Sequence, residues 1–205
     1  MDLLVVGGGV AGMAAAAHAA ARGARVCVLE KTDSVGGSGA LSAGIVWTAP
    51  DEATFRRACP DGDPELGRVL VEGFDRAVEE VRDGGVFVSE RWTGQMGFGV
   101  AHRVDIGALL ERWRGTVVAA GGRISFGAAA RELLLDEDGS VRGARVNGTE
   151  VAAGAVLLAT GGFQGDPGLV RAAIGPGAEH MLLRSHPGAT GDGLRMARAA
   201  GAANA

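Results

Sequence analysis

The chain has 205 residues, enough for one sizeable hydrophobic core or one large domain with a small appendage. Hydrophobic residues make up 47% and charged residues 21%, a composition that excludes a disordered or low-complexity chain. A formal net charge of −4 argues against a general nucleic-acid or anionic-membrane binder, and no apolar run reaches the length of a membrane span. Cys27 and Cys59 form no C-x-x-C pair, so neither a disulfide framework nor a metal site is expected. With an apolar strand starting two residues after Met1, no signal peptide fits, and a cytoplasmic location is the expectation.

The first element is the most informative. Leu3 to Val6 is a continuous apolar strand that runs into Gly7-x-Gly9-x-x-Gly12, and an alanine-rich helix, Met13 to Ala21, follows at once. A second apolar strand, RVCVLE, ends on Glu30, eighteen residues after Gly12. Strand, glycine turn, helix, strand and acidic residue form the dinucleotide-binding fingerprint in its required context. Gly7 permits the tight turn, Gly9 lets the backbone approach a pyrophosphate, and Gly12 lets the helix pack close to the sheet. The helix N-terminus offers free N–H groups to the phosphates, and Glu30 can accept from a ribose diol.

Next comes KTDSVGGSGALSAGIVW, a glycine- and serine-rich loop of little periodicity that contains Lys31, the single lysine. Residues 51–62 read as a short helix and a turn. Apolar residues at Leu66, Val69, Leu70, Phe74, Val78 and Val81 fit an amphipathic helix from Pro64 to Arg82, closed by Asp83-Gly84-Gly85. A short strand, VFV, is expected at 86–88, and an irregular stretch at 89–104. Asp105 opens a helix to Ala120, and ISF at 124–126 is strand-like. Residues 129–146, AARELLLDEDGSVRGARV, read as a hairpin turning at Asp-Glu-Asp-Gly. The run GAVLLAT, Gly154 to Thr160, has the pattern of a buried parallel strand.

Two further glycine motifs follow. Ala159-Thr160-Gly161-Gly162 ends that strand in small residues, as a nucleotide crevice requires. Thr190 to Gly193 (TGDG) reads as the opening turn of a last helix, with Asp192 placed either to cap it or to accept from a ligand hydroxyl. Neither internal repeats nor linker-like stretches are present.

Taken in order, VVGGGVAG, LEKTDSVGGSGALSAGIVW, LLLDEDGSVRGARV, LLATGGF and GATGDGLRMARAAGA resemble the flavoproteins related to fumarate reductase, succinate dehydrogenase, L-aspartate oxidase and 3-ketosteroid dehydrogenase. The likeness covers nearly the whole chain and is loosest over 48–104. It implies an α/β fold, a three-layer FAD/NAD(P)-binding parallel sheet with a small β-hairpin or meander from 123 to 147. It also implies FAD, with Gly7, Gly9, Ala11 and Gly12 on the pyrophosphate and Glu30 on the adenosine ribose beside Lys31. Gly37, Ser38 and Gly39 would continue along the phosphates and ribityl chain, and Ser42, Ala43 and Gly44 would lie against the isoalloxazine. Ala130 would meet the adenine through its backbone, and Thr160, Gly161 and Asp192 would complete the site. Covalently flavinylated relatives carry histidine where Ser38 stands, so a non-covalent flavin is implied. The glycine spacing itself leaves FAD and NAD open; the second and third glycine motifs favour FAD.

In this family a capping domain and a C-terminal return segment complete the enzyme. The expectation is that residues 1–205 are the first segment of the FAD-binding domain, ending before both. The whole enzyme would then exchange a hydride between flavin and a C–H or activated C=C bond of a small-molecule substrate. Alternatives are a non-catalytic flavin-binding remnant, or a subunit for which a partner chain supplies the missing parts. No catalytic residue is assigned: His18 reads as packed or solvent-facing, His102 and Arg103 as loop residues that could border the flavin, and His186 as a candidate substrate contact. Trp47, Trp92 and Trp113 read as packing residues, with Trp47 close to the flavin loop.

Overall fold

The computed structural model describes residues 1–203; residue 205, the end discussed above, lies outside them. The chain divides into two compact units, residues 1–41 with 110–205, and residues 42–109.

The first unit opens with strand β1 (Leu3–Val6), helix α1 (Val10–Ala21), strand β2 (Val26–Leu29) and a single helical turn, α2 (Gly37–Ala40). β1 and β2 pair in parallel, Leu3 against Val26 through Val6 against Leu29. α1 is alanine-rich because its inner face must lie close to these strands, and Gly12, Met13, Ala16, Ala17 and Ala20 are buried on it.

The second unit contains β3 (Ile45–Thr48), α3 (Glu52–Ala58), α4 (Pro64–Asp83), β4 (Trp92–Gln95) and β5 (Gly99–Arg103). β5 is the central strand of an antiparallel sheet, flanked by β3 and β4. α4 follows the expected bounds. Asp63 caps it by accepting the N–H groups of Glu65 and Leu66 at 2.8 and 3.1 Å. Phe74 and Val78 of its apolar stripe bury against Val100, with Val46 and Val88 alongside. Two expectations fail here. VFV is no strand: Val88 makes only an isolated bridge to Val104. The stretch 89–104 is not irregular but a hairpin, turning where Met96 and Gly97 take φ of +53° and +89°. Its glycines at 94, 97 and 99 and a register shift between Thr93 and Gln95 erase the alternation by which a strand is read.

Helix α5 (Ile106–Ala119), capped by Asp105 accepting from the Ala108 N–H at 2.9 Å, carries the chain back into the first unit. There follow β6 (Arg123–Ser125), β7 (Ala130–Leu135), β8 (Val141–Val146), β9 (Thr149–Ala152), β10 (Ala155–Leu158), α6 (Pro167–Ile174) and α7 (Asp192–Ala199). The parallel sheet runs β10-β1-β2-β6, and β7-β8-β9 form an antiparallel meander. The meander is therefore displaced from the expected 123–147: β6 joins the parallel sheet, and β9 supplies a third strand. Leu4, Val6, Cys27 and Leu29 on one sheet face share a core with Ala144 and Val146 of the meander and Met196 of α7. With α1 against β1 and β2, helix, parallel sheet and meander make the three expected layers.

Candidate functional site

The ends of β1, β2 and β10, the start of α1 and the segment before α7 enclose a cavity of about 550 Å³ in the first unit, within the usual range for small-molecule and cofactor sites. Its wall begins with the glycine turn, whose three glycines do different work. A Cβ at Gly7, where φ is +109°, would run into the Ala159 carbonyl, and one at Gly12 would run into the Gly7 carbonyl. Gly9 differs: its Cβ would meet nothing nearer than the Gly36 carbonyl oxygen at 3.9 Å. The space beside Gly9 is therefore open to a ligand, while Gly7 and Gly12 are required by the fold. No side chain caps α1 at Gly9, so its first N–H groups remain available. The turn at Gly36–Gly39 lies alongside: Gly36 donates to the Gly8 carbonyl at 2.8 Å, and Gly9 and Gly36 form a parallel bridge.

Glu30 is buried, and its carboxylate is held in place by the chain itself. Oε2 accepts the Gly8 N–H at 2.8 Å, and Oε1 accepts the N–H and hydroxyl of Thr32, each at 2.9 Å. The acid is thus tied to the glycine loop it serves. Thr32 was not singled out in the sequence; its signal is a hydroxyl two residues after the acid, a spacing that suits a local hydrogen bond.

The cavity is also lined by Asp192, only 7% exposed. Its carboxylate accepts from Lys31 Nζ at 2.6 Å, Arg131 Nη1 at 3.2 Å, the Thr190 hydroxyl at 3.3 Å and Arg195 Nη2 at 3.4 Å. Burial pushes the Asp192 carboxyl up, but the hydrogen bond and charge of Lys31, with Arg131 and Thr190, outweigh it and hold the group below the ordinary carboxylate value. Of the two roles open to Asp192 from sequence, capping α7 is not the one it takes. It is the first helical residue, and Thr160 takes the capping role, its hydroxyl accepting the Gly193 N–H at 3.1 Å. Gly193 must be glycine, because a Cβ there would collide with that hydroxyl.

Of the residues proposed from sequence, Gly7, Gly9, Ala11, Glu30, Lys31, Gly37, Ser38, Gly39, Ala130, Thr160, Gly161 and Asp192 line this one cavity. Gly12 lies beneath it as a packing residue. Ser42, Ala43 and Gly44 belong to the second unit. There Gly44 has φ of +73°, and its carbonyl accepts the Val104 N–H at 2.8 Å. His102, expected on a loop, is a buried strand residue whose ring neighbours Phe74 and whose Nδ1 meets the Ser89 carbonyl at 2.9 Å. Trp47 stands edge-on to Phe98, ring centroids 6.0 Å apart. His18 is exposed, its Nδ1 2.8 Å from the Ala14 carbonyl. Among the described residues no group of three His, Cys, Asp or Glu side chains could hold a metal ion, and no helix is long and apolar enough to cross a membrane.

Comparison with known proteins decides the family. The family model described as FAD binding domain matches residues 2–205. The chain belongs to this family. It is 31% identical to the fumarate reductase (cytochrome) of Shewanella frigidimarina over 99% of its own length and 40% of that protein's. Among solved structures it is similar to the open conformation of a flavocytochrome c3 fumarate reductase, with a TM-score of 0.85 and 25% identity over 98% of this chain and 40% of that one. It is also similar to 3-ketosteroid-Δ4-(5α)-dehydrogenase from Rhodococcus jostii RHA1, with a TM-score of 0.83 and 25% identity over 98% of this chain and 54% of that one. The chain thus spans about two fifths of the length of the fumarate reductase relative.

The cofactor of this FAD-binding domain is FAD, which settles the choice between FAD and NAD that glycine spacing had left open. The residues present fit it. An added Cβ at Gly9 would be met only by the Gly36 carbonyl oxygen and one at Gly37 only by the Gly9 Cα, each at 3.9 Å, so neither glycine is crowded by the protein. Two adjoining glycine turns with uncrowded backbone on the wall of the cavity, beside an uncapped helix N-terminus, suit a diphosphate.

Proposed function

We propose that this domain holds FAD non-covalently, and that the protein containing it exchanges a hydride between the flavin and a C–H or activated C=C bond of a small-molecule substrate. What supports the first part is the opening at Gly9 beside the free N–H groups of α1, with Glu30 fixed 22 residues away from its Gly8 anchor. In this reading the adenosine ribose lies on Glu30 and the adenine against the backbone of Ala130. The diphosphate lies between the Gly7–Gly12 and Gly37–Gly39 turns. Ser42, Ala43 and Gly44 would serve the isoalloxazine. Ser38 offers a hydroxyl where covalently flavinylated relatives carry an imidazole, and an uncharged hydroxyl suits reversible binding.

The second part draws on the relatives. Of the proteins this chain is similar to, one is named a fumarate reductase and another a ketosteroid dehydrogenase, so reduction and dehydrogenation both occur among them. Bound FAD supplies the two-electron redox chemistry, while the protein supplies binding, orientation and electrostatics. The contribution of the residues described is to fix the cofactor: backbone N–H groups toward its phosphates, a restrained carboxylate toward its ribose, and a closed ion-paired wall at Asp192.

The test is the visible spectrum of the purified chain after incubation with FAD and gel filtration. An oxidised-flavin spectrum, with the flavin released into the supernatant on acid precipitation, supports both the site and non-covalent binding. A colourless protein overturns the reading of the cavity. Flavin remaining with the precipitate overturns non-covalent attachment alone.

A further inference from the structure

Among the residues lining the cavity is one to which none of the glycine motifs gives a role. His186 lies on the segment before α7 and lines the same cavity as Lys31 and Ser38. The amide of Gly188 donates to its Nδ1 at 2.9 Å. A backbone N–H can only donate, so Nδ1 carries the lone pair and the proton of the neutral ring sits on Nε2. Nε2–H has no protein partner among the described residues.

The ring is held rather than free. His186 donates its own backbone N–H to Ser38 Oγ at 3.1 Å, which ties it to the Gly36–Gly39 turn. Pro187 restricts its backbone to extended conformations. A Cβ at Gly188 would lie 2.8 Å from Nδ1, 3.1 Å from Cε1 and 3.4 Å from Lys31 Cε, so ring and lysine stem both pack against that glycine. Lys31 is the only lysine or arginine among the described lining residues, and its ammonium is committed to Asp192 and to the Thr190 hydroxyl at 2.8 Å. An anion in the cavity thus finds backbone amides on the α1 side and, over the Ser38 turn, a fixed imidazole N–H.

We infer that His186 is a direct ligand of the cofactor, donating Nε2–H to a phosphate oxygen of the FAD diphosphate. The inference rests on the FAD site proposed above and adds a side-chain donor to a phosphate subsite whose other donors are backbone N–H groups. Gly188 sets the tautomer that makes the donation possible.

Three substitutions separate ligand from scaffold. His186→Asn keeps an acceptor for the Gly188 amide but withdraws the distal donor; His186→Gln keeps a donor at the distal reach; His186→Ala removes both. FAD affinity, read by quenching of flavin fluorescence, should fall tenfold or more, roughly the weight of one hydrogen bond to a charged group, in Asn and Ala alike. Gln should recover most of it. ADP, which carries the diphosphate, should lose affinity in parallel, and adenosine should not. Asn binding FAD as the unsubstituted chain does would make the role purely structural and overturn the inference. A loss for FAD without a loss for ADP would overturn the phosphate assignment. Failure of the unsubstituted chain to bind FAD would instead overturn the site itself, and this inference with it. Should the variants not fold, the 15N-histidine spectrum of the unsubstituted chain decides: the Nε2–H resonance of His186 must shift on adding ADP, and an unmoved resonance overturns the proposal.

Discussion

The two units solve different problems with different materials. In the first, the ligand-facing wall is backbone: glycines at 7, 9, 12, 37 and 193 set how near chain segments and ligand approach, and Glu30 and Asp192 are locked by hydrogen bonds from neighbouring segments. In the second, Phe74, Val78 and Val100 hold one face of a short three-stranded sheet against a helix, and charged side chains form exposed pairs such as Arg68–Glu72. Backbone proximity tolerates no added atom, whereas a hydrophobic contact loses energy in proportion to what is removed.

Five substitutions, with a sixth as a control, would break or sharpen that contrast. Phe74→Ala should cost the most, about 3–5 kcal/mol, because it empties the centre of a small core; the urea midpoint checks it. Gly12→Ala should cost about 3 kcal/mol although it adds a single carbon, because that carbon meets the Gly7 carbonyl. Thermal unfolding of the variant compared with Gly23→Ala, where nothing lies within 4 Å of the added carbon but φ is +86°, separates collision from backbone strain. A Gly12→Ala variant as stable as the parent would remove the distinction drawn here.

Asp192→Asn should cost about 1–3 kcal/mol by breaking the ion pair with Lys31. Its pH dependence has a definite sign. The Asp192 carboxyl titrates lower in the folded chain than in the unfolded one, so its contribution is present in full above the unfolded value of about 4 and lost as pH falls through the folded value. The stability gap between the parent and Asp192→Asn should therefore be flat near neutrality and close below about pH 4. Asp63→Ala should cost about 1 kcal/mol through the lost cap of α4. Arg68→Ala should change stability by less than about 0.5 kcal/mol, since both partners of its pair are half exposed.

Legibility followed the same division. The glycine fingerprint, α1, β2 with Glu30, α4 and the last two glycine motifs could be read because their determinants are local: residues a few positions apart fix a turn, a cap or an amphipathic stripe. Hidden were the β4–β5 hairpin, whose glycines break the alternation; α6; and the third meander strand at Thr149–Ala152. Their stability comes from partners distant in sequence or from strands too short to show a period. Among site residues, Thr32, Thr190, Arg131 and His186 went unassigned to the cofactor site because each is defined by what it meets across the fold.

The sequence by itself determined a dinucleotide-type strand–turn–helix, its acidic partner, and the order of glycine motifs that marks the family, because these depend on spacing along one strand, turn or helix. Only the tertiary structure decided that Asp192 meets Lys31, 161 positions away in sequence, that Thr160 caps α7, and that the Gly188 amide fixes the tautomer of His186 beside Ser38. Those contacts join the ends of different strands and loops, where no period along the chain records which groups will meet.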